Sequence, residues 1–373
     1  MLKKALEKKG HQVFLVTVNP DNMKFVYEDN GKTIKLPGLP VGIYDYRLSG
    51  IYPIRVVNKI KKWKLDVIHS HTEFGVGTFA RLISKQLNIP LVHTYHTMYE
   101  DYVHYITHGY FNKSSKKLVE YLTLFYCDTT ANELIVPTKK TWDLFKDKYR
   151  LDKNIYIIPT GIEIERFYKE KIKKDSVVEV RKQLGLNDND FVLLFVGRLG
   201  KEKNVDFLIE AQKDLIAKIP NAKLVIIGDG PERDNLYKQI THLGLENHIF
   251  LLGKKSKNDI VSILAKSHAF ILPSRGENFS VAIIEALSIG IPVVATDCGG
   301  TKESINNSNG ILVPVDDTSS MSESLLYMFN NILKYNASDI RKNSKERYSS
   351  SVIGNQLLAI FDNVLYRKDN CGC

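Results

Sequence analysis

The sequence contains few cysteines and no long apolar stretch. Cysteine occurs four times in 373 residues, at Cys127, Cys298, Cys371 and Cys373, without the paired spacing of zinc sites. No apolar run approaches the roughly 18 residues that a membrane-spanning helix needs. Residues 1–10 alternate charged with apolar side chains instead of forming a signal-peptide core. The sequence therefore predicts a soluble cytoplasmic protein without a structural metal site.

Most of the net positive charge lies in the first half of the chain. Residues 1–170 contain 26 of the 52 Lys and Arg residues but only 18 of the 42 Asp and Glu residues. No nucleic-acid docking motif accompanies these basic residues, so nucleic acid is not an expected partner. An anionic membrane surface is a second explanation, because each nearby Lys or Arg contributes about 1 kcal/mol of attraction there. A merely solvated basic face is the third.

Short apolar segments alternate with helical patterns along nearly the whole chain, as in parallel sheets with crossover helices. The predicted strands are Gln12–Val18, Asp66–His69, Pro90–His93, Glu133–Val136, Phe191–Val196, Lys223–Ile227, Ile249–Leu252, Ala269–Leu272 and Pro292–Ala295. The length suits two domains. We therefore expect an α/β protein with a first domain over 1–162, a linker over 163–180, a second domain over 181–340 and a C-terminal helix and tail over 341–373.

The first residues differ from the usual start of a doubly wound domain. Leu2, Ala5 and Leu6 have helical spacing, and Gly10 is placed to end that helix before a strand. A doubly wound domain normally begins with a strand and a glycine-rich turn, and this strand is central in the sheet. The pattern predicts a truncated or mis-started sequence in which this first strand and its turn are missing.

The second half carries residues suited to a diphosphate. Gly197 and Arg198 follow one predicted strand directly, and Lys203 comes five residues later. Arginine presents a fixed fork of donors and lysine a point charge, and both bind phosphate well. Gly228 and Asp229 follow the next strand in a tight turn. Small residues there let a ligand approach the backbone, although a plain strand-to-helix turn explains them equally well.

Two glutamates, Glu277 and Glu285, stand eight residues apart in a strand–loop–helix segment whose helix begins near Ser280. Backbone N–H groups at such a helix start attract phosphate. Glycosidases also use two carboxylates, but eight helical residues would span about 12 Å, beyond the roughly 5–9.5 Å of glycoside hydrolysis. We expect the two glutamates to hold hydroxyl groups on different parts of one long ligand.

Together these motifs resemble the retaining nucleotide-sugar glycosyltransferases of family four, over essentially the whole chain. The resemblance implies the GT-B fold, two Rossmann-like doubly wound domains with a cleft between them, and an enzyme that needs no metal ion or other cofactor. It implies that Arg198 and Lys203 bind the donor diphosphate, that Glu277 holds hydroxyls of the transferred sugar and that Glu285 holds the ribose. The other donor-binding residues that it implies are Gly197, Gly228, Asp229, Lys254, Asn278, Phe279, Ser280 and Val281. The family usually has glycine where this chain has Ser280.

The first half supplies the expected acceptor side. His96 follows a predicted strand and matches the family's active-site histidine, so it is the predicted catalytic partner of Glu277. His71 and Glu73 lie at the neighbouring strand end, where ligands bind in such sheets. The predicted acceptor residues are His71, Glu73, Tyr99 and Tyr102.

The pattern around these residues is similar to that of bacterial diacylglycerol glucosyltransferases. Aromatic and lysine residues over 99–117 suit an interfacial anchor. A second basic patch consists of Arg55, Lys59, Lys61, Lys62, Trp63 and Lys64. An ordinary solvated helix face explains both segments as well.

The resulting hypothesis is transfer of glucose from UDP-glucose to diacylglycerol, with retention, by an enzyme bound peripherally to the inner face of the cell membrane. The same chemistry on a polysaccharide, teichoic-acid or other cell-envelope precursor is the alternative. A hypothesis from another class is an inactive nucleotide-sugar-binding protein. A dehydrogenase is not expected, because no acidic residue ends the strand after the glycine motif at Gly75 and Gly77.

Overall fold

A computed structural model of the chain describes residues 1–40, 47–50, 53–96, 117, 120–168 and 185–371. The chain divides into two compact units. Unit 1 consists of Met1–Pro159 and Ile353–Cys373, and unit 2 of Thr160–Val352. Residues 169–180 of the predicted linker lie outside the described ranges, and so do the predicted acceptor residues Tyr99 and Tyr102.

Unit 1 is an α/β unit with helices on both sides of short strands. Its elements in chain order are α1 (Leu2–Glu7), β1 (Leu15–Val18), β2 (Val26–Glu28), β3 (Thr33–Leu36), β4 (Leu39–Pro40), β5 (Arg47–Leu48), α2 (Ile54–Trp63), β6 (Ile68–Ser70), α3 (Val76–Leu87), β7 (Leu91–Thr94), β8 (Glu133–Val136), α4 (Lys139–Asp143) and β9 (Ile155–Ile157). One sheet has the order β1-β3-β2, a parallel sheet has the order β6-β7-β8-β9, and β4 pairs with β5.

The first helix follows its sequence pattern. Leu2, Ala5 and Leu6 lie on α1, and Ala5 and Leu6 are buried. Gly10 has a φ of +90°, in the left-handed region that glycine adopts without steric cost. Its N–H donates to the Glu7 carbonyl, and the next N–H, of His11, donates to the Leu6 carbonyl. The predicted helix and its glycine end are therefore confirmed.

Unit 2 contains one parallel sheet between two helical layers. Its elements are β10 (Phe191–Val196), α5 (Val205–Lys218), β11 (Ala222–Ile227), α6 (Arg233–His242), β12 (Ile249–Leu251), α7 (Lys257–Leu264), β13 (Ala269–Leu272), α8 (Val281–Ile289), β14 (Val293–Thr296), β15 (Gly310–Val313), α9 (Thr318–Asn330) and α10 (Ala337–Tyr348). The strand order is β12-β11-β10-β13-β14-β15, which reverses between β10 and β13. Doubly wound sheets bind ligands at the carboxyl ends of the strands beside such a reversal.

The α/β prediction is confirmed, and most strand bounds agree within two residues. Glu133–Val136, Phe191–Val196 and Ala269–Leu272 have the predicted bounds, because each is, apart from Glu133, a continuous apolar run that the fold largely buries. The predicted strand Gln12–Val18 is too long, since pairing begins only at Leu15. The sequence analysis missed six strands, each of only two to four residues: β2, β3, β4, β5, β9 and β15.

The C-terminal helix and tail predicted over 341–373 fall on two helices, the end of α10 and α11 (Ser350–Cys371). Asn336 starts α10 by accepting the Ser338 N–H at 2.9 Å. From Ile353 onward α11 belongs to unit 1, where Leu357 and Phe361 join its core. Within the described ranges, no helix combines the length and apolar composition needed to cross a bilayer.

Candidate active site

The ends of β10 and β11 in unit 2 are tied together by backbone hydrogen bonds. The Gly197 N–H donates to the Ile227 carbonyl at 3.0 Å, and the Leu199 N–H donates to the Asp229 carbonyl at 3.0 Å. Arg198 therefore sits in a backbone-bonded pair of loops at the carboxyl ends of two central strands. This is the place at which a doubly wound sheet binds its ligand.

Gly228 has a structural reason to be glycine. Its φ is +145°, which L side chains rarely adopt, and a Cβ added there would overlap the Gly197 carbonyl oxygen. Gly230 is similar, since its Cβ would overlap the Leu199 carbonyl oxygen. Close backbone packing between the two loops thus explains these glycines, whether or not a ligand also approaches them.

Replacing Gly228 with alanine is expected to destabilise unit 2 by about 2–6 kcal/mol, because overpacking and backbone strain each cost about 1–3 kcal/mol. Differential scanning calorimetry would show the loss as a lower melting temperature. Gly276→Ala is the matched control, since no atom lies within 4 Å of a Cβ added there. Equal melting temperatures for the two variants would contradict the packing argument.

Lys203 is the last residue of a short 3₁₀ turn, Lys201–Lys203, that leads into α5, and Arg198 lies three residues before this turn. The Arg198 guanidinium lies 3.6 Å from a Glu202 carboxylate oxygen, and the side chains are 30% and 15% exposed. The Glu202 carbonyl accepts the backbone N–H of Arg275 at 2.9 Å. The segment from Arg198 to Lys203, which contains both phosphate-binding candidates, is therefore attached to the loop after β13.

Glu277 is the best-held carboxylate of the predicted donor site. One of its oxygens accepts the Lys203 ammonium at 2.5 Å and the Ser274 hydroxyl at 2.8 Å. The Glu277 side chain is only 10% exposed and that of Lys203 only 16%. The Glu277 carbonyl also accepts the Gly300 N–H at 3.2 Å. The structure thus brings together Lys203 and Glu277, which are 74 residues apart.

The residues after Glu277 form the start of α8. Ser280 is its N-cap, and the Ser280 hydroxyl accepts the Ile283 N–H at 3.4 Å. Val281, the first helical residue, is 38% exposed. Serine therefore begins the helix where the family usually has glycine, and the exposed helix start retains the partial positive charge that attracts anions.

The other predicted donor residues lie around this helix start and the neighbouring loops. The Phe279 ring packs against Tyr348 at 6.0 Å, and the Asn278 carbonyl lies where a Cβ of Gly300 would be. Burial raises the pKa of Glu285, on α8, although the positive charges of Lys257 and Arg166 oppose this. Lys254 is exposed in the loop after β12.

The estimated span between the two glutamates was wrong in one respect. The segment 277–285 is helical only from Val281 onward, because Ser280 caps the helix. The 12 Å figure for eight helical residues therefore does not apply. What separates the two carboxylates is their environment, since Glu277 is paired with Lys203 while Glu285 is half-buried on α8.

Sequence reasoning missed three residues that hold the loop after β13. Ser274 is fully buried and donates to Glu277, and the Thr296 hydroxyl donates to the Ser274 carbonyl. The Arg275 guanidinium donates to Asp316 at 2.9 Å. Ser274 and Arg275 lay within the segment singled out, but small polar residues in a loop give no signal of their buried partners.

In unit 1 the ends of β6 and β7 bring four histidines together, namely His69, His71, His93 and His96. A hydrogen bond of 3.0 Å joins His71 Nδ1 to His96 Nε2. Behind them His93, which is fully buried, contacts the Ser70 hydroxyl at 2.8 Å and a Glu73 carboxylate oxygen at 3.2 Å. Glu73 is itself only 3% exposed. Of the acceptor candidates, His71 is thus exposed and paired with His96, whereas Glu73 points inward to His93.

The environment of this cluster favours neutral imidazoles. Burial lowers the pKa of His93, as does the Arg81 charge, although the hydrogen bond to Glu73 opposes the shift. Burial and the neighbouring His93 also lower the pKa of His96. The exposed rings of His71 and His96 are partly screened by water, but the direction of both shifts favours the neutral form near pH 7.

Acid is expected to destabilise unit 1 through His93. Because its pKa is lowered on folding, the unfolded chain binds more protons below about pH 6.5, so stability falls as the pH drops from there. Both tryptophans, Trp63 and Trp142, lie in unit 1, so their fluorescence during urea unfolding reports on this unit alone. His93→Gln should reduce the loss between pH 6.5 and 5.5 by at most about 1.4 kcal/mol per pH unit, the limit for one proton. The exposed His11→Gln variant is the control, and equal pH slopes for all three proteins would refute the prediction.

The described residues contain no group of three or more His, Cys, Asp and Glu side chains placed to hold a metal ion. The expectation of a metal-independent reaction stays a prediction. Two free cysteines are described, Cys127 in the core of unit 1 and Cys298 near the Gly300 turn.

The fold and these strand-end residues define a GT-B glycosyltransferase. The model of the Glycosyltransferase Family 4 domain matches residues 1–166, and the model of the Glycosyl transferases group 1 domain matches residues 177–347. The chain belongs to this glycosyltransferase family. A solved structure of sucrose-phosphate synthase from Thermosynechococcus elongatus has the same fold, with a TM-score of 0.73 at 18% identity over 98% of this chain and 92% of that one.

Several curated relatives act on lipids. The alpha-monoglucosyldiacylglycerol synthases of Streptococcus pneumoniae and Acholeplasma laidlawii are 33% and 32% identical, each over 79% of this chain. The matches cover 66% of the first enzyme and 74% of the second. The UDP-Gal:alpha-D-GlcNAc-diphosphoundecaprenol alpha-1,3-galactosyltransferase of Escherichia coli is 31% identical over 73% of this chain and 68% of that enzyme.

Proposed function

We propose that this chain transfers glucose from UDP-glucose, with retention of the anomeric configuration, to diacylglycerol at the inner face of the cell membrane. The observation that carries the donor half of the proposal is the position of Glu277. Its carboxylate is held by Lys203 and Ser274 beside the start of α8, within unit 2. A carboxylate, a cation and a helix start suit a sugar hydroxyl and a diphosphate in one ligand.

In this proposal each donor residue acts on a different part of the nucleotide-sugar. Arg198 and Lys203 bind the diphosphate and stabilise its growing negative charge as the bond to the sugar breaks. Glu277 accepts hydrogen bonds from sugar hydroxyls, and these strengthen as the sugar becomes oxocarbenium-like. Glu285 holds the ribose. His96, whose neutral form is favoured by burial and His93 and whose ring is hydrogen-bonded to His71, is the proposed catalytic residue of unit 1.

The relatives' names support the lipid acceptor, and so does the surface of unit 1. On α2 the apolar residues Val56, Val57 and Ile60 are buried, whereas Arg55, Lys61 and Lys62 are exposed. Two members of the basic patch have other contacts, since Trp63 stacks on Phe14 at 4.5 Å and Lys59 lies over the Tyr27 ring. The remaining cations suit electrostatic attraction to anionic lipid.

The acceptor is tested by incubating the protein with labelled UDP-glucose, UDP-galactose and UDP-N-acetylglucosamine in separate reactions. Each reaction contains dispersed diacylglycerol, a polyprenyl-diphosphate sugar or a soluble polysaccharide. We expect label from UDP-glucose in diacylglycerol, and the anomeric proton coupling of the product in NMR should show retention. Label only in the polyprenyl acceptor would favour the cell-envelope alternative, to which the Escherichia coli relative points. UDP binding without transfer to any acceptor would favour the non-catalytic alternative.

Membrane contact is tested by co-sedimentation with vesicles of phosphatidylglycerol and phosphatidylcholine. Replacing Lys61, Lys62 and Lys64 together with glutamine should weaken binding to anionic vesicles, since each lysine contributes about 1 kcal/mol. A matched control replaces Lys213, Lys218 and Lys238, three exposed lysines of unit 2. Equal binding by both variants and the original protein would remove α2 from the proposed membrane face.

A further inference from the structure

The turn Lys201–Lys203 is held by Arg275, which belongs to the loop after β13. The Arg275 backbone N–H donates to the Glu202 carbonyl at 2.9 Å, and its guanidinium Nη1 donates to the Lys201 carbonyl at 3.3 Å. One residue thus donates hydrogen bonds to two consecutive carbonyl groups of the turn. The position of the turn therefore depends on how the Arg275 side chain is oriented.

Asn204 holds the other end of the same turn. This residue is fully buried, follows Lys203 directly and begins α5. Its backbone is left-handed, with a φ of +56°, and its Nδ2 donates to Asp316 Oδ1 at 3.0 Å. A buried amide without a partner is costly, so this bond fixes the start of α5 relative to the loop after β15.

Asp316 combines both contacts in one carboxylate. Its Oδ1 accepts the hydrogen bond from Asn204 and also that from Arg275 Nε at 2.9 Å, and its Oδ2 lies 3.2 Å from the same Arg275 nitrogen. Asp316 follows β15, an edge strand of the sheet, whereas its two donors follow β10 and β13 near the centre. The carboxylate therefore links three loops, and Lys203 lies between Glu202 and Asn204, two residues that these loops hold.

The stability of unit 2 gives little reason for a carboxylate at this position. The side chains of Arg275 and Asp316 are 46% and 52% exposed, and exposed ion pairs contribute little to the free energy of unfolding. Asp316 also has a φ of +60°, a conformation that glycine adopts at lower cost. The hydrogen bonds to two other loops are therefore the main consequence of the Asp316 side chain.

We propose that Asp316 is a positioning residue of the donor site. By fixing the turn at both ends, it keeps the Lys203 ammonium beside Glu277, 2.5 Å from a carboxylate oxygen. This inference rests on the proposed function, in which Lys203 binds the donor diphosphate. The lysine side chain is long and flexible, and binding is weaker when a ligand must first order a mobile side chain or loop. Asp316 acts in this way without touching the nucleotide.

The test replaces Asp316 and measures both UDP affinity, by isothermal titration calorimetry, and the melting temperature. Asp316→Gly keeps the left-handed backbone but removes the carboxylate. Asp316→Asn also tolerates this backbone, and its amide oxygen can still accept hydrogen bonds from Asn204 and Arg275. Asn88→Gly is the matched control, because Asn88 ends α3 in unit 1 with a φ of +51°.

Asp316→Gly is expected to weaken UDP binding roughly 3- to 10-fold, since the nucleotide must then order the turn and the Lys203 side chain. The loss should be smaller than in Lys203→Ala, because the ammonium is still present. Asn204→Gly removes the other end of the link at a second left-handed position and should weaken binding in the same way. Asp316→Asn should recover most of the affinity, and Asn88→Gly should bind UDP like the original protein.

A double variant shows whether Asp316 acts through Lys203. Adding Asp316→Gly to Lys203→Ala should cause no further loss of UDP affinity, because the side chain that is positioned is already absent. An equal loss with and without the lysine would overturn the proposal, since Asp316 would then affect the site by another route.

The remaining outcomes separate this inference from the proposed function. Unchanged UDP affinity in Asp316→Gly and Asn204→Gly, beside a weakened Lys203→Ala protein, would overturn the inference and leave the diphosphate assignment intact. A lower melting temperature in these two variants without a loss of affinity would likewise make Asp316 a purely structural residue. Unchanged affinity in Lys203→Ala would overturn the diphosphate assignment, and this inference with it.

Discussion

Replacing Glu277 with glutamine is expected to lower kcat about 100-fold, while KM for UDP-glucose changes less than about tenfold. The amide keeps the size of the side chain but removes the charge that Lys203 and Ser274 hold in place. Hydrogen bonds to the sugar that strengthen in the transition state affect kcat more than binding. Losing one such interaction costs about 2.7–4 kcal/mol, and about 1.4 kcal/mol corresponds to a factor of ten.

Initial rates of glucosyl transfer at several UDP-glucose concentrations separate the two parameters. Glu323→Gln is the matched control, because Glu323 is an exposed glutamate of α9 in the same unit. Calorimetric melting of all three proteins would show whether the variant folds normally. An unaltered rate in a folded Glu277→Gln protein would remove Glu277 from the active site.

Replacing Lys203 with alanine is expected to weaken UDP-glucose binding roughly 10- to 150-fold, and Arg198→Ala should have a similar effect. A charge-assisted hydrogen bond to phosphate contributes about 1.5–3 kcal/mol. The Lys203 ammonium is only 16% exposed as a side chain, which limits screening by water. Isothermal titration calorimetry with UDP and UDP-glucose measures the loss directly. Lys201→Ala is the matched control, since Lys201 is an exposed lysine of the same turn.

A purely structural ion pair between Lys203 and Glu277 is the competing explanation, and a double-mutant cycle separates it. If Lys203 serves only to neutralise Glu277, the Lys203→Ala and Glu277→Gln double variant should recover UDP affinity, because no carboxylate is left unpaired. If Lys203 binds the diphosphate, UDP affinity should stay low in the double variant. UDP lacks the sugar, so Glu277 has no direct part in this measurement. Unchanged affinity in both single lysine and arginine variants would contradict the diphosphate assignment.

Local sequence patterns predicted the elements whose burial is continuous. The strands at Phe191 and Ala269 were found with their bounds because every position or nearly every position is apolar. The strands β2 and β3 were missed because they are only three and four residues long and include Lys, Thr and Glu. Such strands form because a neighbouring strand and a helical layer are already there, which is a tertiary effect.

The candidate donor site was predictable to the extent that its residues stand at strand ends. Arg198 is the second residue after β10, and Ser280 caps α8 as its position before an apolar helix suggests. Ser274 could not be predicted, because its role is defined by Glu277 on one side and Thr296 on the other. The orientation of Glu73 toward His93 was not predictable either, since a strand-end loop gives no indication of which side chain is buried.

By itself, the sequence determined that this protein is an α/β chain of two domains with the motifs of a nucleotide-sugar glycosyltransferase. Periodicity, apolar runs and strand-end residues are local properties, and they can be recognised without coordinates. Only the tertiary structure decided that Lys203 pairs with Glu277, that Ile353–Cys373 belong to unit 1, and that β1 and β6 each have an edge without a described partner. These features depend on contacts between residues far apart in the chain, whose pairing is fixed by packing and burial.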